Sequence, residues 1–529
     1  MDYPVESFTP AEQARLAPHM SNLDRPVFAL TNLPETVKGA LFARYSRYPG
    51  TLRRLFLDEF ADSLPELTGG YDDAEGTRAA ELYERIFVGY GDDSVAQLGG
   101  AHVACEWVSN VLTKVLQRPR LAAYLEQSTR YIAYDTPIPG DGGYRYYRDA
   151  QLGDDYARAM DELFTIYANV LPSVRGWVET SFPGDPSPAR TRAVGAKALD
   201  LTRGLLPASA LSHMGIFASG QSYEQLILHL LAHPLPEARE VGGMLLDAIK
   251  DVMPSFVSRV ERPDRGGEWV GYLRERDAAG ARWAERLGLD RESGADDRPS
   301  VKLLHVDGDE ESLLAAMLFE AAGAGEEATR IRLAALSGEE RAALLRDLVG
   351  ARANRRHRPG RGFEALRYRF EIVSDYGAFR DLQRHRMLTV QWQTLTPDLG
   401  AGVPDEVDAA GCGDAYRRAL DVSRAAWQQL VDAGQDRRRA MYALCLGYRL
   451  RYVLDLNARE AMQLIELRSG REGHPSYRAV AHEMHRLIAG VHPAVAATMT
   501  HVDDDTEPRL ERILSEMRTQ SKLDALSSR

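Results

Sequence analysis

QRPRLAAYLEQSTRY at 117–131 and QRHRMLTVQWQTLTP at 383–397 share one register. Each begins QRxR and reaches a hydroxyl-rich turn after seven or eight further residues, and Gln117 and Gln383 stand 266 residues apart. A shared tripeptide alone would mean nothing. The longer register, placed in both halves after an apolar stretch that reads as helix (EWVSNVLTKVLQ in one, FEIVSDYGAFRDL in the other), indicates a duplicated unit. Working outward, residues 1–20 read as a loose N-terminal arm and 21–262 as the first domain. Its segments VKGALFARYSR, TRAAELYERIFVGY and EWVSNVLTKVLQ repeat apolar residues at helical spacing. Residues 263–300, rich in charge, Gly and Asp, form a linker with room for a short helix. VKLLHV at 301 opens a strand and a second domain that extends to 502, and 503–529 is a charged, helical C-terminal tail with a frayed end. Helix dominates over a minority of strand, so the expected class is α+β with a smaller sheet in each domain.

The bounds agree. A chain of 529 residues is too long for one core, and 44% hydrophobic with 27% charged residues is ordinary globular composition. A net charge of -12 argues against nucleic-acid coating. The three cysteines (Cys105, Cys412, Cys445) form no CxxC pair, which fits a reducing compartment and suggests no metal site. The N-terminus lacks a secretory pattern, and no apolar run approaches the roughly 20 residues that span a bilayer. The expectation is a cytoplasmic protein with no membrane partner.

The motif residues imply a chemistry. Arg384-His385-Arg386 sets two guanidinium forks and one titratable ring within a turn of chain, suited to phosphate or pyrophosphate. The alternative is a solvated basic turn. Glu126, Ser128 and Arg130 alternate at i, i+2, i+4, as on one face of an extended segment, and could offer a carboxylate, a hydroxyl and a guanidinium to one flat ligand. The alternative there is a polar strand edge. On a helix, Asn457, Arg459, Gln463 and Arg468 cover more than one face.

Both copies resemble the signature of the flavin-dependent thymidylate synthases, RHRxxSxxExSxR. The first keeps Arg118, Arg120, Glu126, Ser128 and Arg130, with Pro119 and Ala123 in place of the His and first Ser. The second keeps Arg384, His385 and Arg386, with Trp392 and Thr396 in place of the Glu and final Arg. Ala43-Arg44-Tyr45-Ser46 resembles the family's ARxS. Gly91 to Gln97 resembles GHxSxxE, with Asp92 and Gln97 for the His and Glu and with Ser94 kept. Asn457-Ala458-Arg459, Gln463 and Leu467-Arg468 resemble NARxxxNxxxLR, and Arg478 stands where a further family arginine falls.

The resemblance implies two tandem family-like domains that use FAD, with NADPH and methylenetetrahydrofolate as co-substrates, to methylate dUMP or a related pyrimidine nucleotide without a cysteine nucleophile. It assigns catalysis to Glu126, Ser128 and Arg468. Substrate contacts fall to Arg130, Gln127, Gln383, Arg384 and Arg468. Cofactor contacts fall to Ser46, Ser94, Arg384, His385, Arg386, Asn457, Arg459 and Gln463. Family members are homotetramers with sites between subunits, and here the halves have lost opposite parts. That implies hybrid sites and a homodimer forming a pseudo-tetramer. Two other readings stay open: a degenerate homologue that binds flavin or nucleotide without making dTMP, and a flavin enzyme modifying another pyrimidine nucleotide at C5.

Other features read blandly. Gly323-Ala-Gly325 follows a helical stretch rather than a strand, so it is not a dinucleotide loop. His482 and His485 sit on a charged helix face, and His102 reads as a core histidine on an apolar helix. The run Arg352, Arg355, Arg356, His357, Arg358, Arg361 reads either as solvated or as a contact for flavin pyrophosphate or folate glutamates.

Overall fold

The computed structural model describes residues 3–4, 6–33, 35–63, 97, 99–138, 143–289, 298–507 and 509–527. Two four-stranded antiparallel sheets lie among the helices, and the fold is α+β. The first holds β1 (Val27–Leu30), β2 (Gly100–Ser109), β3 (Ala122–Glu126) and β4 (Leu211–Ser219) in the order β1-β2-β4-β3. The second holds β5 (Ser300–Asp307), β6 (Arg367–Asp375), β7 (Leu388–Trp392) and β8 (Arg449–Asn457) in the order β5-β6-β8-β7. The two topologies are the same, as duplication requires.

The apolar stretches before the two QRxR motifs are helical only in their second parts. Each is a central strand that ends at a cap and turns into a short helix, Asn110–Leu116 in one copy and Tyr376–Leu382 in the other. Ser109 Oγ accepts from the Leu112 amide at 3.0 Å, and Asp375 Oδ1 accepts from the Ala378 amide at 2.8 Å. In β6 the period of two is legible, since Tyr368, Phe370 and Ile372 are buried between more exposed Arg369 and Glu371. In β2 every residue after Gly100 is buried, so no period separates strand from helix. His102 therefore lies on a strand, its ring 4.4 Å from that of Phe217. A bulge interrupts β2 between Cys105 and Val108, and Trp107 there takes φ 55°, in the left-handed region.

The chain divides into two compact units, each assembled from three stretches. Unit 1 comprises Met1–Ala168, Leu206–Ala295 and Asp421–Leu444, and unit 2 comprises Asn169–Leu205, Asp296–Leu420 and Cys445–Arg529. In unit 1 the N-terminal segment is not loose. Thr9 and Glu12 form a reciprocal capping box on the helix Pro10–Leu16, and Leu16 and Met20 join Phe28, Phe42, Tyr45 and Phe56 in one apolar cluster. Residues 263–300 carry a 19-residue helix, Glu268–Arg286. TRAAELYERIFVGY and Ser94 lie outside the described residues. No helix among the described residues is long and apolar enough to cross a membrane.

Candidate functional site

In unit 2, Asn457 ends β8 and caps the helix Ala458–Arg468, its Oδ1 accepting from the Glu460 amide at 2.9 Å. That cap fixes the phase of the helix and sends Glu460 and Arg468 toward His385. Glu460 Oε1 lies 2.8 Å from His385 Nδ1, and Arg468 Nε donates to His385 Nε2 at 3.1 Å. The carboxylate needs a proton on Nδ1 and the guanidinium needs a lone pair on Nε2, so the neutral tautomer is defined from both sides. Burial and the Arg468 charge hold the imidazole below its ordinary pKa, against the opposing pull of Glu460. Arg468 also lies over the Tyr477 ring, 5.6 Å from its centroid.

The neighbouring motif residues divide into exposed and engaged ones. Arg384 is exposed, with Nη1 3.6 Å from Asp381, and Asp381 in turn accepts from Arg203 Nη1 at 3.3 Å. Arg386 and Gln463 are half-buried and Gln383 is buried. Arg459 donates to the Pro359 carbonyl at 2.9 Å and pairs with Glu364 at 3.6 Å. Arg203 is buried and its Nη2 has no hydrogen-bond partner, although Asp375 lies 3.9 Å away. It lines a cleft of about 400 Å³ with Lys197, Asp375, Arg449, His474 and Ser476. Gly204 and Tyr416 also line it, and a Cβ at Gly204 would collide with the Tyr416 hydroxyl.

The basic run splits. Arg352 grips Glu466 with both guanidinium nitrogens, at 2.6 and 2.5 Å, in a buried pair, so it holds the fold rather than a ligand. Arg355, Arg356, Arg358 and Arg361 are exposed, and Arg358 is near enough for its charge to lower the His385 pKa. Arg478 is spent on the carbonyls of Ser469 (2.7 Å) and Asp505 (2.6 Å). His482 and His485 each reach a backbone carbonyl, of Asp503 and Ala496.

In unit 1, β3 ends at Glu126 and the chain turns at Ser128, whose carbonyl accepts from the Tyr131 and Ile132 amides. The single extended face read for Glu126, Ser128 and Arg130 is therefore absent. Glu126 points inward and accepts from Lys114 Nζ at 2.8 Å, Gln117 Nε2 at 3.0 Å and Thr113 Oγ1 at 3.1 Å, all of them buried. Ser128 donates its amide to the Ser46 carbonyl at 3.2 Å, which joins the ARxS-like and ExSxR-like segments. Gln127 is buried, donating to the Tyr48 carbonyl at 2.8 Å and accepting from Arg145 at 3.0 Å, and Arg130 is buried. In unit 2, Trp392 stands in the register of Glu126, its ring 5.4 Å from Phe379, which stands in the register of Thr113.

Sequence reasoning missed Glu460, Asp381 and Arg203. Glu460 follows Asn457 at the Asn-x-x-Glu spacing that normally marks a capping box, which hides its bond to His385. Asp381 and Arg203 carry no local signal.

The model of the family described as thymidylate synthase complementing protein matches residues 54–255 and again 302–494. A UPF0159 protein of Chlamydia muridarum is 36% identical over 529 residues, covering 97% of this chain and 98% of its own. A UPF0159 protein of Thermoplasma acidophilum is 31% identical, covering 92% of this chain and 99% of its own. Among solved structures, a UMP/dUMP methylase from Streptomyces cacaoi bound with 5-Br dUMP is 21% identical, covering 39% of this chain and 96% of its own, with a TM-score of 0.32.

Proposed function

We propose, on the premise that this chain belongs to the thymidylate synthase complementing protein family and carries the family unit twice, that it methylates dUMP to dTMP, drawing on FAD, NADPH and methylenetetrahydrofolate. The observation that supports this most is the buried Glu460–His385–Arg468 chain, with a second network, Arg384–Asp381–Arg203, that reaches the cleft wall. The donor set fits a phosphorylated planar cofactor. Arg468 and Arg358 bring guanidinium charge to one neutral imidazole, Arg384 and Arg386 flank it in sequence, and Arg203 brings a buried Nη2 without a hydrogen-bond partner to the cleft wall. In this reading Arg384, His385, Arg386, Asn457, Arg459 and Gln463 hold FAD, which would supply the hydride. Arg468, Arg384 and Gln383 in the second copy, and Ser128, Gln127 and Arg130 in the first, are the residues assigned to nucleotide contacts.

A second reading is favoured by one observation: Glu126, one of the three residues assigned to catalysis, is already bonded to Lys114, Thr113 and Gln117. A carboxylate so occupied suits a flavin or nucleotide binder that does not make dTMP. The enzyme reading and the flavin-binder reading both require flavin. The purified chain is expected to be yellow or to turn yellow with added FAD. Because each copy keeps parts that the other lost, calorimetric titration is expected to give about one FAD per chain rather than two. Failure to bind FAD at millimolar concentration would remove both readings.

A further inference from the structure

A second cavity, of about 580 Å³, lies wholly within unit 1. Its size is that of a small-molecule site, roughly 300–1,000 Å³. One wall is the QRPR turn of the first copy, with Arg118 and Arg120, and the next is the helix Gly220–Ala232, with Gln225 and Leu226. The third is the helix Glu268–Arg286, with Leu273 and Arg276. These walls are tied to one another. Tyr124 donates to the Pro119 carbonyl at 3.1 Å, and Ser222 Oγ donates to the Leu121 carbonyl at 3.0 Å, which fixes the turn against the first helix. Pro119 also locks its own φ. Arg274 Nη2 donates to the Leu231 carbonyl at 2.9 Å, which joins the two helices. A site held in this way has little ordering left to do when a ligand enters.

The charges on the lining call for an anion. Arg118, Arg120 and Arg276 bring three guanidinium groups against one carboxylate, Asp277, which is itself paired with Arg438 at 2.8 Å. Partial burial and the nearby Arg276 charge hold the Arg118 guanidinium below its ordinary pKa, against the pull of Asp277. His233 adds no charge. Burial pushes it down to about 4, with Arg438, Arg118 and Arg239 adding to the effect and Asp277 opposing it. Three positive charges less one negative leave a surplus of two on the lining, which the dianion of a phosphate monoester matches. The site does not repeat the one in unit 2. The helices Gly220–Ala232 and Ala458–Arg468 both follow a capping residue that ends a central strand, so Ser222 stands at the place of Glu460 and Leu230 at that of Arg468. Pro119 stands at the place of His385, and the chain of bonds that holds that imidazole has no counterpart here.

We propose that this cavity is a second ligand site, which takes a small organic phosphate. Arg118, Arg120 and Arg276 hold the dianionic head, and a flat apolar body lies against Leu226 and Leu273. The site stands apart from the catalytic reading, which assigns none of these residues to catalysis, nucleotide or flavin.

Calorimetric titration of the full chain with phenyl phosphate, which is one ring and one dianion, tests it. A dissociation constant of about 1 mM or below is expected. Inorganic phosphate and phenol each offer half of that chemistry and should bind at least about tenfold more weakly. Arg276→Ala should weaken phenyl phosphate by about tenfold or more, the scale of one charged hydrogen bond, and Arg276→Glu should remove detectable binding. Arg276 is exposed on its helix, so both variants keep the fold. FAD affinity should be the same in the Arg276→Ala chain as in the original, and a chain that binds no FAD at all still reports on this cavity through phenyl phosphate. Phenyl phosphate that fails to bind at about 10 mM, ten times the weakest constant expected, would overturn the proposal. So would phenyl phosphate that binds no more tightly than inorganic phosphate, or that binds the Arg276→Glu chain as it binds the original. A fall in FAD affinity with Arg276→Ala would place the flavin in this cavity and overturn it too.

Discussion

Arg468→Ala is expected to weaken dUMP binding by about 2–5 kcal/mol, a loss of affinity between roughly thirtyfold and several thousandfold. Arg468 does two things at once. Its Nε satisfies His385 Nε2 at 3.1 Å, and its guanidinium lies beside Tyr477 on the side of the helix that Asn457 caps. Alanine removes the cation that would meet the phosphate. It also leaves a buried imidazole nitrogen without its donor, so the ring that Glu460 orients loses its second anchor. Arg468→Lys returns the charge but not the planar fork, and should recover only part of the affinity. Calorimetric titration of dUMP into folded variants reads the effect. Normal affinity in the alanine variant would mean that the arginine assigned by resemblance does not contact the nucleotide.

Lys114→Met is expected to destabilise the chain by about 3–5 kcal/mol. The Lys114–Glu126 pair is only 1% exposed on either side chain, and removing the cation strands a carboxylate in the interior with two neutral donors, Thr113 and Gln117. Glu126→Leu should cost a similar amount by stranding the ammonium. The double variant should regain much of the loss, because an apolar pair of similar volume has no desolvation penalty to offset. In unit 2 only the carboxylate is replaced: Trp392 stands at the position of Glu126, while the position of Lys114 holds a buried Arg380. Urea unfolding followed by circular dichroism measures all three. Single variants within about 0.5 kcal/mol of the original, the range of neutral surface changes, would show that the pair is not the buried brace described.

How much of this was legible in the sequence depended on range. The duplication was legible because QRxR and its trailing turn are local text, and the two sheets repeat one strand order. The N-terminal helix could have been found, since Thr9-Pro-Ala-Glu12 spells a capping box. The strand Gly100–Ser109 could not, because burial on both faces erases its period. At the site, the resemblance named His385 and Arg468, but their bonding was hidden. His385 meets Glu460 75 positions away, and Arg203 meets Asp381 178 positions away. The Glu126 face failed for a related reason. Alternation in sequence fixes a face only while the backbone stays extended, and here it turns at Ser128.

Growth of a thymidine-requiring bacterial strain carrying this gene as its only thymidylate source tests the central claim most directly. The proposed reaction predicts growth without thymidine for the unaltered chain and none for the Arg468→Ala chain produced at the same soluble level. No growth with the unaltered chain, present in soluble and flavin-loaded form, would contradict dTMP synthesis and leave a protein that binds flavin for another purpose.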